Sequence, residues 1–481
     1  MRYALSVVAA VASVSTPVES QSVGMPDVVI ANQIGVDNEP ALTLPPGQFV
    51  VGFISNPLPL SVMQTVWGAE LASGGLAPMA VPTPPIPPPY LYTFDPALTS
   101  DSLGDSYMAF IATVAGPGSA SAMCVSKYTG AAWLPPVPLA QDPAGTGPLY
   151  RFNDRCDITS GFVVSPHVPT QEAVVATWIK DRGTAATGFA DAFVSVSTDF
   201  GATFSPALSM TELGVSALLP RAHSPHVVID AAGKIHVFWQ DLNVSLRAPA
   251  MTPLAPLPCA LMMDTSVDGG YNFAQDRIIG SYMYPPAVVA SPVFPGTSPW
   301  AGYQNGAAIP AAHPTDPSRL YVVYAASNVT SDPDLYLVRS HDGGSSWVPP
   351  VLVPTTPPSG IAAPPVAAQI MPQMAIQPNG DLVIAWWDNR GGVGWDVYII
   401  RAMETTSGAG SPVVSFSGDY RVSNTSYLPP SNGSGPWLGE YFALEVDAVN
   451  AYLAFPGVGP SAPPAGPNVL YADVVPIATI L

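Results

Sequence analysis

Positive charge is scarce in this chain of 481 residues, because 15 lysines and arginines stand against 34 acidic residues and leave a net charge of −19. A nucleic-acid-binding protein needs a basic stripe to neutralise phosphates, so this balance argues against nucleic acid as a partner. Cysteine is also scarce, and its three copies allow one disulfide at most. No apolar run after residue 20 is long enough to cross a bilayer, so no transmembrane segment is predicted.

The first twenty residues, MRYALSVVAAVASVSTPVES, combine Arg2 with a short apolar run and small residues near position 20. This pattern is typical of a secretory signal peptide, and we predict one over residues 1–20. A retained first strand or arm is the alternative. The predicted location is therefore outside the cell, or on the surface of a cell or particle.

Proline and glycine are abundant, at 58 and 41 copies, and they are spread along the chain. Prolines and glycines in such numbers predict many turns and exclude long helices. Apolar residues still make up 48% of the chain, which is enough for a substantial core. An all-β protein satisfies both observations.

One short pattern repeats. The segments STDFGATF, SVDGGYNF and SHDGGSSW all read Ser-X-Asp-X-Gly-X-X-aromatic, at intervals of about 70 residues. SKYTGAAW, one interval earlier, is a weaker copy that lacks the Asp. The repeated positions are Ser197, Asp199, Gly201, Phe204, Ser266, Asp268, Gly270, Phe273, Ser340, Asp342, Gly344 and Trp347.

Alternating apolar runs flank each copy and predict four strands in each repeat. Four-stranded units repeated around an axis make a β-propeller. We predict a single propeller over residues 21–481 with seven blades, or six if one of the first two units only elaborates a neighbour. The N-terminal strand, within residues 27–33, is expected to complete the last blade and close the ring. The predicted first strands begin near Glu39, Tyr90, Gly161, His226, Ala307, Gln373 and Tyr441.

The repeated motif resembles the Asp-box, or bacterial neuraminidase repeat, of the sialidase-like propellers. The resemblance implies that each box is a hairpin turn between strands three and four. The Asp would then accept hydrogen bonds from its own turn, the Gly would adopt a backbone shape that other residues resist, and the aromatic ring would pack between sheets. The box residues are therefore expected to be structural.

Ligand contacts are expected on the opposite face, where the loops from strand two to three and from one blade to the next surround the central channel. The segment from Pro136 to Ser160 is predicted as one of these loops. An alternative for Asp181–Arg182 and for Asp388–Arg390 is that they brace neighbouring blades. The candidate binding residues are Arg155, Asp157, Asp181, Arg182, Arg221, His223, Asp241, Tyr303, Asn305, Asp388, Arg390 and Glu440.

Sialidase catalysis is disfavoured, because the Arg-Ile-Pro motif that the family carries in its first blade is missing here. We therefore predict a secreted propeller without catalysis that binds carbohydrate or an extracellular protein. One alternative is an exo-sialidase or other glycoside hydrolase with a rearranged site, which requires two carboxylates converging at the channel mouth. Another is a structural surface or assembly protein. No metal or cofactor is predicted.

Overall fold

The chain folds into a ring of antiparallel sheets, described here from a computed structural model. The structure describes residues 28–31, 36–45, 48–56, 63–72, 75–81, 84–114, 119–145, 151–165, 168–182, 189–211, 222–242, 257–285, 307–327, 333–355, 368–390, 394–405, 412–424, 426, 442–458 and 468–480. Six sheets have four strands, and a seventh has an additional short strand at its side. The only helix among these residues is a 3-10 turn at Ile477–Thr479. The predicted all-β propeller of four-stranded blades is confirmed.

The first four blades follow one another along the chain. Blade one contains β2 (Val36–Thr43), β3 (Gln48–Asn56), β4 (Met63–Ala72) and β5 (Gly75–Val81). Blade two contains β6 (Tyr92–Ser100), β7 (Ser106–Thr113), β8 (Ser121–Tyr128) and β9 (Val137–Asp142). Blade three contains β10 (Arg151–Ser165), β11 (Val168–Arg182), β12 (Phe189–Ser197) and β13 (Leu208–Ser209). Blade four contains β14 (Ala222–Ile229), β15 (Ile235–Leu242), β16 (Leu257–Ser266) and β17 (Arg277–Tyr284).

Three more blades complete the ring. Blade five contains β18 (Ile309–Ala312), β19 (Leu320–Ser327), β20 (Pro333–Ser340) and β21 (Val348–Leu352). Blade six contains β22 (Gln369–Ile376), β23 (Leu382–Asp388), β24 (Asp396–Thr405) and β25 (Val413–Phe416), with the short β26 (Tyr420–Arg421) also paired to β24. Blade seven contains β27 (Ala443–Val446), β28 (Asn450–Val458) and β29 (Asn468–Pro476).

The N-terminal strand β1 (Val28–Ala31) supplies the fourth strand of blade seven. It pairs antiparallel with β29, with Val28 opposite Ala472. The first and last parts of the chain thus share one sheet, which closes the ring and leaves no blade with an open third strand. The predicted ring closure is confirmed.

The core lies between the blades. The described residues form seven clusters of buried apolar side chains, and each cluster joins two adjacent blades. Second strands such as β7 and β19 are buried along their whole length, whereas rim strands such as β21 are largely exposed. A second strand is covered on both faces by neighbouring blades, which explains why LYVVYAAS is a continuous apolar run without alternation.

The three box turns have the same internal hydrogen bonds. In SHDGGSSW the Ser340 hydroxyl donates to Asp342 Oδ1 at 2.8 Å and accepts from Gly344 N at 2.8 Å. Asp342 Oδ1 also accepts from Ser346 N at 2.8 Å. These bonds lower the pKa of Asp342 to about 2, the Ser346 hydroxyl contributing most. The copies that begin at Ser197 and Ser266 repeat the arrangement.

Each box also fixes its blade against the preceding one. Gly344 has φ +83°, and a Cβ there would lie 2.7 Å from Met263 Cε in blade four. Gly201 and Gly270 are equally close to side chains of the blades before theirs. The turn therefore requires glycine both for its backbone conformation and for its close approach to the neighbour. The box aromatics pack partly buried against the same interfaces.

A second turn motif recurs between strands one and two. Asp101 accepts two backbone N–H groups of its own turn on Oδ1, and its Oδ2 accepts the Tyr107 hydroxyl at 2.7 Å. Asp447 and Tyr452 repeat this in blade seven, at 2.8 Å. In blade four, His236 takes the place of the tyrosine and contacts Asp230 Oδ2 at 3.0 Å. The buried His236–Asp230 pair is therefore part of a repeated structural turn.

Candidate functional site

Five of the seven innermost strands have a β-bulge near their starts, at the end of the channel away from the boxes. The register shifts at this point in β2, β6, β10, β14 and β22. In the last four strands a residue at the shift has positive φ: Asp95 at 53°, Arg155 at 50°, Ser224 at 41° and Met371 at 51°. Non-glycine residues adopt this conformation at a cost, and such strain concentrates at functional sites. A bulge also redirects side chains, here around the axis.

The sequence carries a signal for these bulges. A proline recurs in the first strand of five blades, at Pro40, Pro96, Pro225, Pro310 and Pro372. Proline has no N–H to donate to a ladder, so in sheets it occurs at edges and bulges. An innermost strand is an edge that faces the channel. The recurring proline therefore marks the channel wall.

A cavity of about 260 Å³ lies on the axis between the bulges. All seven blades contribute to its lining. One part of the wall is apolar and includes Leu42, Ile309, Pro310, Met371 and Met374. The remaining wall carries ionisable groups on β6, β10, β14 and β27, so the cavity has chemically different sides.

Asp157 is at the centre of the polar wall. Its Oδ2 accepts a hydrogen bond from Val227 N at 2.9 Å and lies 3.3 Å from His226 Nδ1. The side chains of Asp157 and His226 are each about one quarter exposed. Strands β10 and β14 belong to adjacent blades, so this contact joins blades three and four at the channel and fixes the carboxylate position.

Glu445, on β27 of blade seven, lines the same cavity. Blades three and seven are not neighbours in the ring, so Glu445 and Asp157 line the cavity from separate parts of the ring. Burial is the main factor that raises the pKa of Glu445 to about 7, and the negative charge of Asp157 raises it further. Glu445 can therefore hold or release a proton near neutral pH.

A second pair of carboxyl groups flanks the bulge of β10. Asp95 Oδ2 accepts Arg155 N at 3.0 Å, and the Cys156 thiol lies 2.8 Å from Asp95 O. Burial, together with the nearby Asp95 carboxylate, raises the pKa of Asp154 well above its usual range. Asp154 and Asp95 also share a side-chain hydrogen bond. Burial likewise raises the pKa of the Cys156 thiol, so this cysteine is not an activated nucleophile.

The structure brings two of the predicted binding residues, Arg155 and Asp157, into the cavity wall. Both lie on β10, although the segment Pro136–Ser160 was predicted as a loop. That prediction is wrong in part, because Val137–Asp142 and Arg151–Ser165 are strands. The error arose because RFNDRCD is polar, and a strand whose face lines a channel lacks the usual apolar alternation.

Two other predicted binding residues, Arg182 and Arg390, form ion pairs with aspartates of their own blades. Arg182 pairs with Asp191 of the same blade at 3.1 Å and lies over the Phe193 ring. Arg390 is buried, pairs with both Asp388 and Asp419, and lies 4.0 Å from the centre of the Tyr398 ring. Each of these ion pairs lies within one blade.

The other predicted residues lie away from the cavity or outside the described residues. His223 is buried, with Nδ1 2.9 Å from the Ser224 hydroxyl. Asp181 and Asp241 lie near the ends of second strands and are not in the cavity lining. The remaining four lie outside the described residues: Arg221, Tyr303, Asn305 and Glu440.

Trp178 and Trp387 are fully buried between blades and do not line the cavity. Glu445, His226 and Asp95 line the cavity and were not among the predicted binding residues. Within its own strand each of these residues shows no pattern that indicates a site. Only the closed ring brings the three of them around one axis.

Three further features concern metals, disulfides and membranes. Across the described ranges, no group of three or more His, Cys, Asp or Glu side chains could hold a metal ion. Cys124, Cys156 and Cys259 are all free. No helix in the described part of the chain is long and apolar enough to span a membrane.

Comparison with known proteins gave structural similarities only. No protein family and no curated protein matches the sequence. A Dyadobacter fermentans protein of unknown function matches with a TM-score of 0.48 at 11% identity, covering 94% of this chain and 98% of its own. A Fusarium graminearum α-L-arabinofuranosidase in complex with arabinobiose matches with a TM-score of 0.44 at 13% identity, covering 82% and 96%. A Hadza microbial sialidase matches with a TM-score of 0.44 at 10% identity, covering 88% and 75%. Similarity at this level carries no argument about activity.

Proposed function

We propose that this protein is a secreted, sialidase-like Asp-box propeller that binds a carbohydrate in its central cavity. The observation that carries the proposal is the cavity itself, in which all seven innermost strands converge. Its volume of about 260 Å³ lies just below the range of pockets for drug-sized ligands, and suits one sugar residue. An apolar wall can contact the C–H face of a sugar ring, while the opposite wall offers hydrogen-bond partners for hydroxyl groups.

Charge favours a neutral sugar over a sialic acid. Asp95, Asp157 and Glu445 line the cavity, and Arg155 is the only arginine among its lining residues. Holding a sugar carboxylate requires guanidinium groups arranged as forks, and Arg182 and Arg390 are engaged with aspartates elsewhere. An anionic sugar would meet net negative charge at the axis.

The test is calorimetric titration with neutral hexose and pentose oligosaccharides, with sialyllactose as the anionic comparison. Thr159 lines the cavity and is partly exposed, so Thr159→Trp should fill the space without disturbing a blade interface. Ala231, exposed in a turn at the other end of the channel, gives the matched control Ala231→Trp. We expect Thr159→Trp to abolish binding and Ala231→Trp to retain it. Equal binding by both variants, or tighter binding of sialyllactose than of every neutral sugar, would contradict the proposal.

A protein partner is a second candidate, supported by apolar side chains on the face that holds the boxes. Phe162 and Val267 are 56% and 66% exposed there, and Val164 and Tyr271 lie in the same two segments. The blade-four turn and box approach the β10 backbone around Val164 closely. Exposed apolar patches of this kind mark interaction surfaces. Sedimentation of the wild type and Phe162→Ser should reveal any self-assembly through this surface, and a monodisperse monomer for both would refute assembly.

A further inference from the structure

We propose that the central cavity hydrolyses a glycosidic bond in a neutral carbohydrate, with Glu445 as the proton donor and Asp157 as the base that activates water. The inference rests on the proposed carbohydrate binding and extends it from binding to catalysis. It assigns the reaction to two residues on opposite sides of the channel.

The two carboxyl groups reach the cavity from different blades. They lie on β10 and β27, in blades that are not adjacent, with the cavity between them. A sugar in the cavity would therefore have Glu445 on one side and Asp157 on the other. Glycoside hydrolysis by single displacement needs this arrangement, because water attacks from the side opposite the leaving group.

The surroundings then give the two groups different roles. Asp157 Oδ2 accepts a hydrogen bond from Val227 N at 2.9 Å and lies 3.3 Å from His226 Nδ1, and these contacts fix the carboxyl group in the cavity wall, where a base that activates water has to lie. Burial and the charge of Asp157 raise the pKa of Glu445 to about 7. A carboxyl group that remains protonated near neutral pH is suited to general acid catalysis.

The other charged groups around the cavity are compatible with Glu445 as the acid and Asp157 as the base. Asp95 is on β6, Arg155 and Cys156 are on β10 beside Asp157, and His226 is on β14. The lining residues from β2, β18 and β22 within the described ranges carry no ionisable side chain. Glu445 thus faces the acidic wall from a largely apolar part of the ring.

The reaction balances with water as the only co-reactant. Glu445 gives its proton to the glycosidic oxygen as the bond from that oxygen to the anomeric carbon breaks. A water oxygen bonds to the same carbon, and its proton passes to Asp157. The products are a free sugar and an alcohol. Glu445 recovers a proton from solvent and Asp157 returns one.

The experiment measures hydrolysis of neutral aryl glycosides and of any oligosaccharide that binds the wild type. Glu445→Gln should lower kcat on substrates with poor leaving groups by about 100-fold or more, while substrate binding changes little. Substrates with a dinitrophenyl leaving group need no proton and should restore much of that loss. Asp157→Asn should lower kcat for both kinds of substrate, because water activation is needed in each case.

The matched control is Asp105→Asn, since Asp105 lies far from the cavity in an ion pair with Lys127 at 2.7 Å. It should leave kcat unchanged. Proton resonance spectra of the first product should show inversion at the anomeric carbon, and retention would overturn the single displacement.

Failure of this inference is distinct from failure of the proposed function. A wild type that binds a neutral glycoside and hydrolyses none of those it binds would refute catalysis and leave binding intact. Full activity in either Glu445→Gln or Asp157→Asn would refute the assignment of that residue. Thermal unfolding of each variant shows whether lost activity reflects lost structure.

Discussion

Glu445 should make the protein less stable as the pH rises, and replacing it by glutamine should remove that penalty. Its folded-state pKa is about 7, against 4.5 for an ordinary glutamate. Below pH 4.5 the carboxyl is protonated in both states, so it adds no pH dependence. Between 4.5 and 7 the folded state holds a proton that the unfolded state has lost, and stability falls as the pH rises. Above 7 the full cost of an ionised, partly buried carboxylate is present.

The size of the effect follows from the shift. Each unit of pKa corresponds to about 1.4 kcal/mol, so moving from 4.5 to about 7 gives about 3 kcal/mol between pH 4 and pH 8. Glutamine keeps the shape of the side chain and carries no charge. Glu445→Gln should therefore be more stable than the wild type at pH 8, and that advantage should shrink toward zero at pH 4.

The assay is urea unfolding followed by tryptophan fluorescence at several pH values from 4 to 8, comparing both proteins at each pH. Glu404 provides a control of opposite sign. Burial opposes its ionisation, but hydrogen bonds from His341 at 2.7 Å and Tyr321 at 3.0 Å outweigh burial and lower its pKa. A lowered pKa adds stability above pH 4.5 that is lost in acid, so Glu404→Gln should be less stable than the wild type near neutral pH.

A stability difference between Glu445→Gln and the wild type that stays constant from pH 4 to pH 8 would refute the reasoning. A Glu445→Gln variant that is less stable than the wild type at pH 8 would refute the reasoning as well. Asp157→Asn offers a finer check, because burial precedes the Asp157 charge as a cause of the shift. That variant should reduce the pH dependence contributed by Glu445 and not remove it.

Two predictions concern the box turns. Asp342→Ala removes the acceptor for Ser340 and Ser346 and should cost about 1–2 kcal/mol in urea unfolding, with carbohydrate binding by the folded protein unchanged; lost binding at unchanged stability would place Asp342 in the site. Gly344→Ala should cost more than Gly418→Ala, because Gly344 has φ +83° and meets Met263 at 2.7 Å while the nearest atom to a Cβ at Gly418 is 3.6 Å away; equal unfolding midpoints for these two variants would contradict the packing argument.

The repeats made the fold predictable. Four apolar runs per unit, a turn motif that recurs at near-equal spacing and an N-terminal strand without a blade of its own together require a closed ring. These signals are local, because hydrogen bonds within a turn and burial of a strand depend mainly on nearby residues. For the same reason SHDGGSSW was interpretable without coordinates as a turn.

The candidate site was harder to predict from the sequence than the fold. Asp157 and Arg155 were selected because they lie in a segment predicted as a loop of the binding face, but both residues belong to the strand β10. Trp178 and Trp387 lie near polar residues at the ends of second strands, yet they are buried between blades. Polarity and aromatic character do not reveal which face of a strand points to the axis, and a single bulge reverses that choice.

The sequence by itself determined the blade architecture, the place of the box turns and the closure of the ring, since each depends on contacts within or next to a repeat. Only the tertiary structure decided that Asp157 of blade three and Glu445 of blade seven share a cavity. The two residues are far apart in the chain and belong to no common motif. Their proximity, and the raised pKa of Glu445 that follows from burial beside another carboxylate, arise only when seven blades close around one axis.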